Sequence, residues 1–186
     1  MTTELDNPYR LPRAVLPRRY DLLLAPDLPG ASFTGSVVVT LDVVEATHRL
    51  VLNAAELTID EASVAVTSGG EDVAVRAVTL DPANERLVIE LDRPLAVGPA
   101  SLTIDFAGIL NDKLRGFYRS TYTDDDGVEQ VIATTQMQST DCRRAFPCWD
   151  EPDFKAVFSV TLSVEPDLFA ISNSSEASRR WSRAEH

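Results

Sequence analysis

Apolar and polar positions alternate along most of the chain with a period of two residues. That period places apolar side chains on one face of an extended strand, whereas a helix needs them three or four positions apart. Residues 33–44 are rich in β-branched side chains, as a half-buried strand requires. Residues 48–53 follow after a short polar break, and residues 57–66 alternate up to a turn at 68–72. Residues 73–80 lead through a turn at 81–84 into residues 86–91, and the stretch from Pro94 to Pro99 separates these from residues 101–106. Residues 116–122 and 129–135 flank Asp124-Asp-Asp-Gly127, an acidic turn ending in glycine that predicts a hairpin. Residues 155–164 form the last strong run, followed by a short one at 168–172. The expected core strands are 33–44, 57–66, 86–91, 101–106 and 155–164. No stretch carries a helical period with caps. Short strands spaced by about 8–12 residues predict an all-β fold, an antiparallel β-sandwich or a curved pair of sheets.

Length and composition narrow the function classes. A chain of 186 residues suffices for one sizeable domain, and its 44% apolar content argues against disorder over most of it. The net charge of −12 repels a nucleic-acid backbone, and the arginines are scattered except near the C-terminus, so nucleic acid is not an expected partner. No apolar run approaches the roughly 18 residues needed to span a bilayer. The first residues lack the basic and apolar regions of a secretory leader, which predicts a cytoplasmic protein with no membrane partner. Cys142 and Cys148 are too few for a disulfide framework and read as reduced thiols. Their C-x5-C spacing, with no histidine nearby, makes a poor zinc site, since a structural zinc takes four ligands.

The candidate chemistry begins with what is scarce. The two histidines are His48, beside a strand, and His186, the last residue. A histidine-based zinc centre or a Ser-His-Asp triad cannot be assembled from these, so the chain is assigned no catalytic residue, no metal ligand and no cofactor of its own. The carboxylates of Asp124, Asp125 and Asp126 read as a solvated turn, and Asp150 and Glu151 beside Pro152 as turn-fixing acceptors of backbone N–H groups. The unusual segment is 134–152, which packs aromatics, paired arginines, prolines and acids where a plain sandwich would alternate. Within it Gln136 and Gln138 stand two apart, so in an extended segment both amides point to one face and could hold a substrate's amine and backbone.

That segment, Thr135-Gln-Met-Gln-Ser-Thr-Asp-Cys-Arg-Arg-Ala-Phe-Pro-Cys-Trp-Asp-Glu-Pro152, closely resembles the T-Q-x-E-x-x-D-x-R-R-A-F-P-C-x-D-E-P run of the aminopeptidase N family of zinc exopeptidases. Leu114-Arg-Gly-Phe-Tyr-Arg-Ser-Thr-Tyr122 resembles the family's L-x-G-F-Y-x-S-x-Y segment, and Pro17-Arg-Arg-Tyr-Asp-Leu22 its opening P-x-x-Y-D-L strand. The matches keep the family's order and extend from about Pro17 to Asn173.

The resemblance implies a saddle-shaped N-terminal β-domain over residues 1–173, packed against a thermolysin-like catalytic domain. That domain would begin beyond residue 186 and hold the H-E-x-x-H motif and the zinc. It further implies that Gln136 lines the first specificity pocket and that Gln138 binds the free amino group of a peptide substrate. Most members carry glutamate at the Gln138 position; a neutral amide loses charge attraction to an ammonium. Residues 174–186 depart from the family pattern and are expected to be a frayed tail, consistent with a truncation or a shifted reading frame. The implied function is the substrate-binding and structural domain of a zinc aminopeptidase that removes N-terminal amino acids, inactive on its own. The alternative is a stand-alone β-sandwich module that binds or regulates another protein.

Overall fold

The period-two pattern becomes twelve strands in the computed structural model, which describes residues 9–181. They are β1 (Val15–Asp27), β2 (Ser32–Val43), β3 (Thr47–Asn53), β4 (Leu57–Thr58), β5 (Val64–Ser68), β6 (Glu71–Val73), β7 (Val75–Asp81), β8 (Arg86–Leu95), β9 (Gly98–Ile109), β10 (Gly116–Thr123), β11 (Glu129–Gln136) and β12 (Val157–Leu162). Among the described residues there is no α-helix, and two short 3-10 turns occur at Glu61–Ser63 and Cys142–Arg144.

The larger sheet runs β12-β1-β2-β9-β5-β6, with β4 also paired to β9, and the smaller runs β3-β8-β7. All pairs are antiparallel except β1–β12. One core joins the two sheets: Val37, Val39 and Leu41 of β2 and Leu102 and Ile104 of β9 share it with Leu50 and Leu52 of β3 and Leu87 and Ile89 of β8. Each such side chain contributes about 1.5–3 kcal/mol by leaving water. The all-β sandwich expected from the alternation is the fold observed. The β10–β11 hairpin forms a separate ribbon, held to the sandwich where Phe117 meets Phe33 edge-on, with ring centroids 5.1 Å apart.

Several expected strands are cut differently, each for a physical reason. Residues 57–66 are not one strand. Leu57 pairs with Gly108, and an unbroken register would bring Val64 opposite Ser101, yet Val64 pairs with Ile104. The surplus residues form the 3-10 turn, closed by the N–H and hydroxyl of Ser63 donating to the carbonyl of Asp60. Residues 73–80 split at Ala74 because β6 belongs to the larger sheet and β7 to the smaller. The break at 94–99 is shorter than expected, since Pro94 still lies in β8 and Pro99 is the second residue of β9, where a strand tolerates proline.

The most substantial correction concerns residues 155–164, expected to be a core strand. β12 instead lies at the edge of the larger sheet, and Val157, Phe158 and Val160 are exposed. Alternation reports that a run is extended, not whether a second layer covers it. Residues 168–172 form no strand.

Candidate substrate-binding loop

β11 ends at Gln136, directly opposite Gly116, the first residue of β10. Gly116 has φ +67°, and a Cβ there would lie 2.6 Å from the Cβ of Arg144. Only glycine lets the chain after β11 fold back this closely. That chain turns at once: the Asp141 N–H donates to the Met137 carbonyl at 2.9 Å, and the Arg144 N–H to the Asp141 carbonyl at 3.1 Å.

Gln136 and Gln138 are both exposed at this bend. The expectation that strand alternation aims both amides to one face does not hold in that form, because the strand stops at Gln136 and Gln138 lies in the following turn. The two are brought together differently, by the Nε2 of Gln136 donating to the backbone carbonyl of Gln138 at 3.4 Å.

Beneath the exposed amides the loop is clamped by its paired arginines. Arg144 pairs with Asp141 through Nε at 2.9 Å, with Glu56 through Nη1 at 2.7 Å, and with Glu85 through Nη2. Arg143 pairs with Asp150 at 2.9 Å and with Glu85 at 3.1 Å. Burial works against the charge of Arg144, but the hydrogen bond it donates to Asp141 and the charges of Glu56 and Glu85 outweigh it and hold the guanidinium above its usual range. Glu56 and Glu85 both adopt left-handed backbone, φ +57° and +52°, which costs each about 1–2 kcal/mol. Removing one arginine would leave half-buried carboxylates facing one another, the costly way to break such a network.

Past the arginines the chain dives into the core: Ala145, Phe146, Pro147, Cys148 and Trp149 are buried. Cys148 exchanges two backbone hydrogen bonds with Asn53 at the end of β3, at 2.7 and 3.0 Å. The Trp149 N–H donates to the hydroxyl of Tyr20 at 3.1 Å. Burial pushes the Tyr20 phenol far above its ordinary range, so it stays neutral. The acids that follow fix the loop's exit. Glu151 accepts from the Leu11 N–H and pairs with Arg10 at 3.2 Å, and Asp153 pairs with Arg13, whose guanidinium lies 4.5 Å above the Phe154 ring.

The remaining candidates have plainer roles. Asp124 accepts from the N–H groups of Asp126 and Val128 and from the Gln130 amide, which holds its carboxyl below the usual range and makes it the residue that shapes the hairpin turn. His48 is exposed on β3, and His186 lies outside the described residues. Among the described residues one group brings three potential metal-ligating atoms within 4.8 Å of one another, those of Cys142, Cys148 and Asp150. It does not fit a histidine-rich catalytic zinc, and the Arg143 guanidinium already occupies one Asp150 oxygen. No helix among the described residues is long and apolar enough to cross a membrane.

The loop's distant partners Tyr20, Asn53, Glu56 and Glu85 are the residues that sequence reasoning missed. Asn53 left a trace, as the polar end of the apolar run Leu50-Val51-Leu52. Glu56 and Glu85 left none, since their backbone conformation usually announces itself with glycine.

The match to known proteins covers nearly the whole chain. Residues 16–184 match the model of the peptidase M1 N-terminal domain family. The chain is 48% identical over 166 residues to Aminopeptidase M1 of Arabidopsis thaliana, covering 88% of this chain and 19% of that protein. It is 41% identical over 164 residues to the Puromycin-sensitive aminopeptidase of Caenorhabditis elegans, covering 88% and 17%. Against Endoplasmic reticulum aminopeptidase 1 of Homo sapiens it is 36% identical over 170 residues, covering 90% and 18%. The chain therefore spans less than a fifth of the length of these relatives. Together with the all-β sandwich and the anchored loop after β11, this places the chain in the peptidase M1 family, as its N-terminal domain.

Proposed function

We propose that this domain serves a zinc aminopeptidase by presenting Gln136 and Gln138 to the first residue of a peptide substrate. The observation that carries the reading is the contrast within one loop: two exposed amides stand on a base fixed by ion pairs, a β-bridge and buried aromatics. A polar loop with no ligand has no need of so rigid a base, whereas a binding site must hold its groups within a fraction of an ångström. An amide oxygen of Gln138 would accept a hydrogen bond from the substrate's ammonium, and Gln136 would line the space for the first side chain.

The zinc of such an enzyme would polarise the scissile carbonyl and activate water, held by a histidine-rich motif outside this segment. On this reading the domain's partners are a peptide N-terminus and the catalytic domain of the same polypeptide, and residues 1–173 form the domain proper. The exposed edge strand β12 offers a surface for that packing.

A chimera provides the test. Residues 16–184 replace the equivalent part of Arabidopsis Aminopeptidase M1, and hydrolysis of amino-acid p-nitroanilides is followed with the chimera and with the isolated chain. The reading expects turnover from the chimera, lost on chelation, and none from the chain. Hydrolysis by the isolated chain, or a folded chimera that cleaves no amino-acid anilide, would contradict it.

A further inference from the structure

We infer that Cys142 and Cys148 are a closing thiol pair, oxidised to a reversible intramolecular disulfide by low-molecular-weight disulfides, with Asp150 as the base that releases the second thiol. The inference does not depend on the function proposed above. It rests on three features of one cluster. The two sulfur atoms and an Asp150 carboxylate oxygen lie within 4.8 Å of one another. Cys142 is only half-buried and Cys148 is fully buried, so a soluble disulfide reaches the first thiol and not the second. Cys142 opens the 3-10 turn and Cys148 follows the buried Ala145–Pro147 stretch, so their bond would close a short loop on the bridge that Cys148 makes with Asn53.

The chemistry balances without any further reagent. The thiolate of Cys142 attacks one sulfur of the small disulfide, forming a mixed disulfide and expelling one small thiolate. Cys148 then loses its proton to Asp150 and attacks Cys142 Sγ, and the second small thiolate leaves. Two protein thiols are oxidised and one small disulfide is reduced to two thiols. The second step needs a base because desolvation and the neighbouring Cys142 push the Cys148 thiol well above its ordinary range. Asp150 is placed to act, since Arg143 binds it through Oδ2.

A metal ion on the same atoms is the competing assignment. Three donors fall short of the four that a structural zinc takes, and the Arg143 guanidinium 2.9 Å from Asp150 Oδ2 places a positive charge beside the cation's position.

The full chain, purified in reduced form, is treated with oxidised glutathione and analysed by intact mass and peptide mapping. The expected product has lost two hydrogens, carries a Cys142–Cys148 link and returns to the starting mass with dithiothreitol. Cys148→Ala should stop at a glutathione adduct on Cys142. Asp150→Asn should prolong that adduct's lifetime roughly tenfold or more, the effect of losing a general base. Circular dichroism of each variant confirms that it folds, and Cys142→Ala, at the less buried position, should take up no glutathione and form no link. Accumulation of a stable glutathione adduct on the wild-type chain, or two thiols that stay fully alkylatable, would overturn the inference. So would protection of both thiols from alkylation by one equivalent of zinc ions, which would make the cluster a metal site.

Discussion

The backbone N–H of Trp149 donates a hydrogen bond to the hydroxyl of Tyr20, 3.1 Å away, across 129 residues of chain. The bond is buried, and it joins the first strand of the larger sheet to the loop that carries the candidate substrate-binding residues. Tyr20 also stacks on Phe158 of β12 at 4.8 Å and meets Phe146 edge-on at 6.1 Å. One side chain thus ties together strand, edge strand and loop.

Tyr20→Phe keeps those ring contacts and removes only the acceptor. The Trp149 N–H would then be buried without a partner, which costs about 1–3 kcal/mol. Urea unfolding of the two proteins should show that loss as a lower midpoint at unchanged slope. An unchanged midpoint would mean that water takes over the bond.

Gly116 and Gly70 separate two costs that glycine substitutions usually mix. Both have positive φ, +67° and +85°, so alanine at either pays the left-handed penalty of about 1–2 kcal/mol. At Gly70 a Cβ meets nothing within 4 Å, whereas at Gly116 it meets the Cβ of Arg144 at 2.6 Å. Gly116→Ala should therefore destabilise clearly more than Gly70→Ala in thermal unfolding. It should also expose the loop after Gln136 to limited proteolysis, which Gly70→Ala should not.

Acid should loosen the hairpin in a defined direction. The Asp124 carboxyl is held below its usual range chiefly by the Gln130 amide and then by the Val128 and Asp126 N–H groups. A carboxyl with a depressed folded-state pKa contributes stability that is present above its unfolded pKa and lost as pH falls through the folded value. Asp81, held down by Asn84, behaves in the same sense. Midpoints of unfolding should decline as pH drops through and below the ordinary carboxylate range. Asp124→Ala should flatten that decline, and an identical pH profile in the variant would rule out the turn as a source.

The sandwich was legible because period-two alternation is a direct consequence of strand geometry, and β2, β3, β10 and β11 lie within a residue or two of where it puts them. The register shift that expels Glu61–Ser63 was not legible, since it depends on which residues of β9 the two neighbouring strands meet. The exposure of β12 was equally hidden, because Val157, Phe158 and Val160 look the same in sequence whether or not a layer covers them. At the site, Gln136, Gln138 and the paired arginines stood out by their types and spacing. Their anchors Tyr20, Glu56 and Glu85 did not, because long-range partners leave no local pattern.

If Gln138 holds the free amine of a peptide, kcat/KM for Gln138→Ala in the chimera with the Arabidopsis aminopeptidase must report the loss. Losing a hydrogen bond to a charged group costs about 1.5–3 kcal/mol, so kcat/KM should fall roughly ten- to a hundredfold. Gln138→Glu should match or exceed the unsubstituted chimera, since a carboxylate pairs with an ammonium directly. A folded alanine variant with unchanged kcat/KM would contradict the account and leave Gln138 a loop residue.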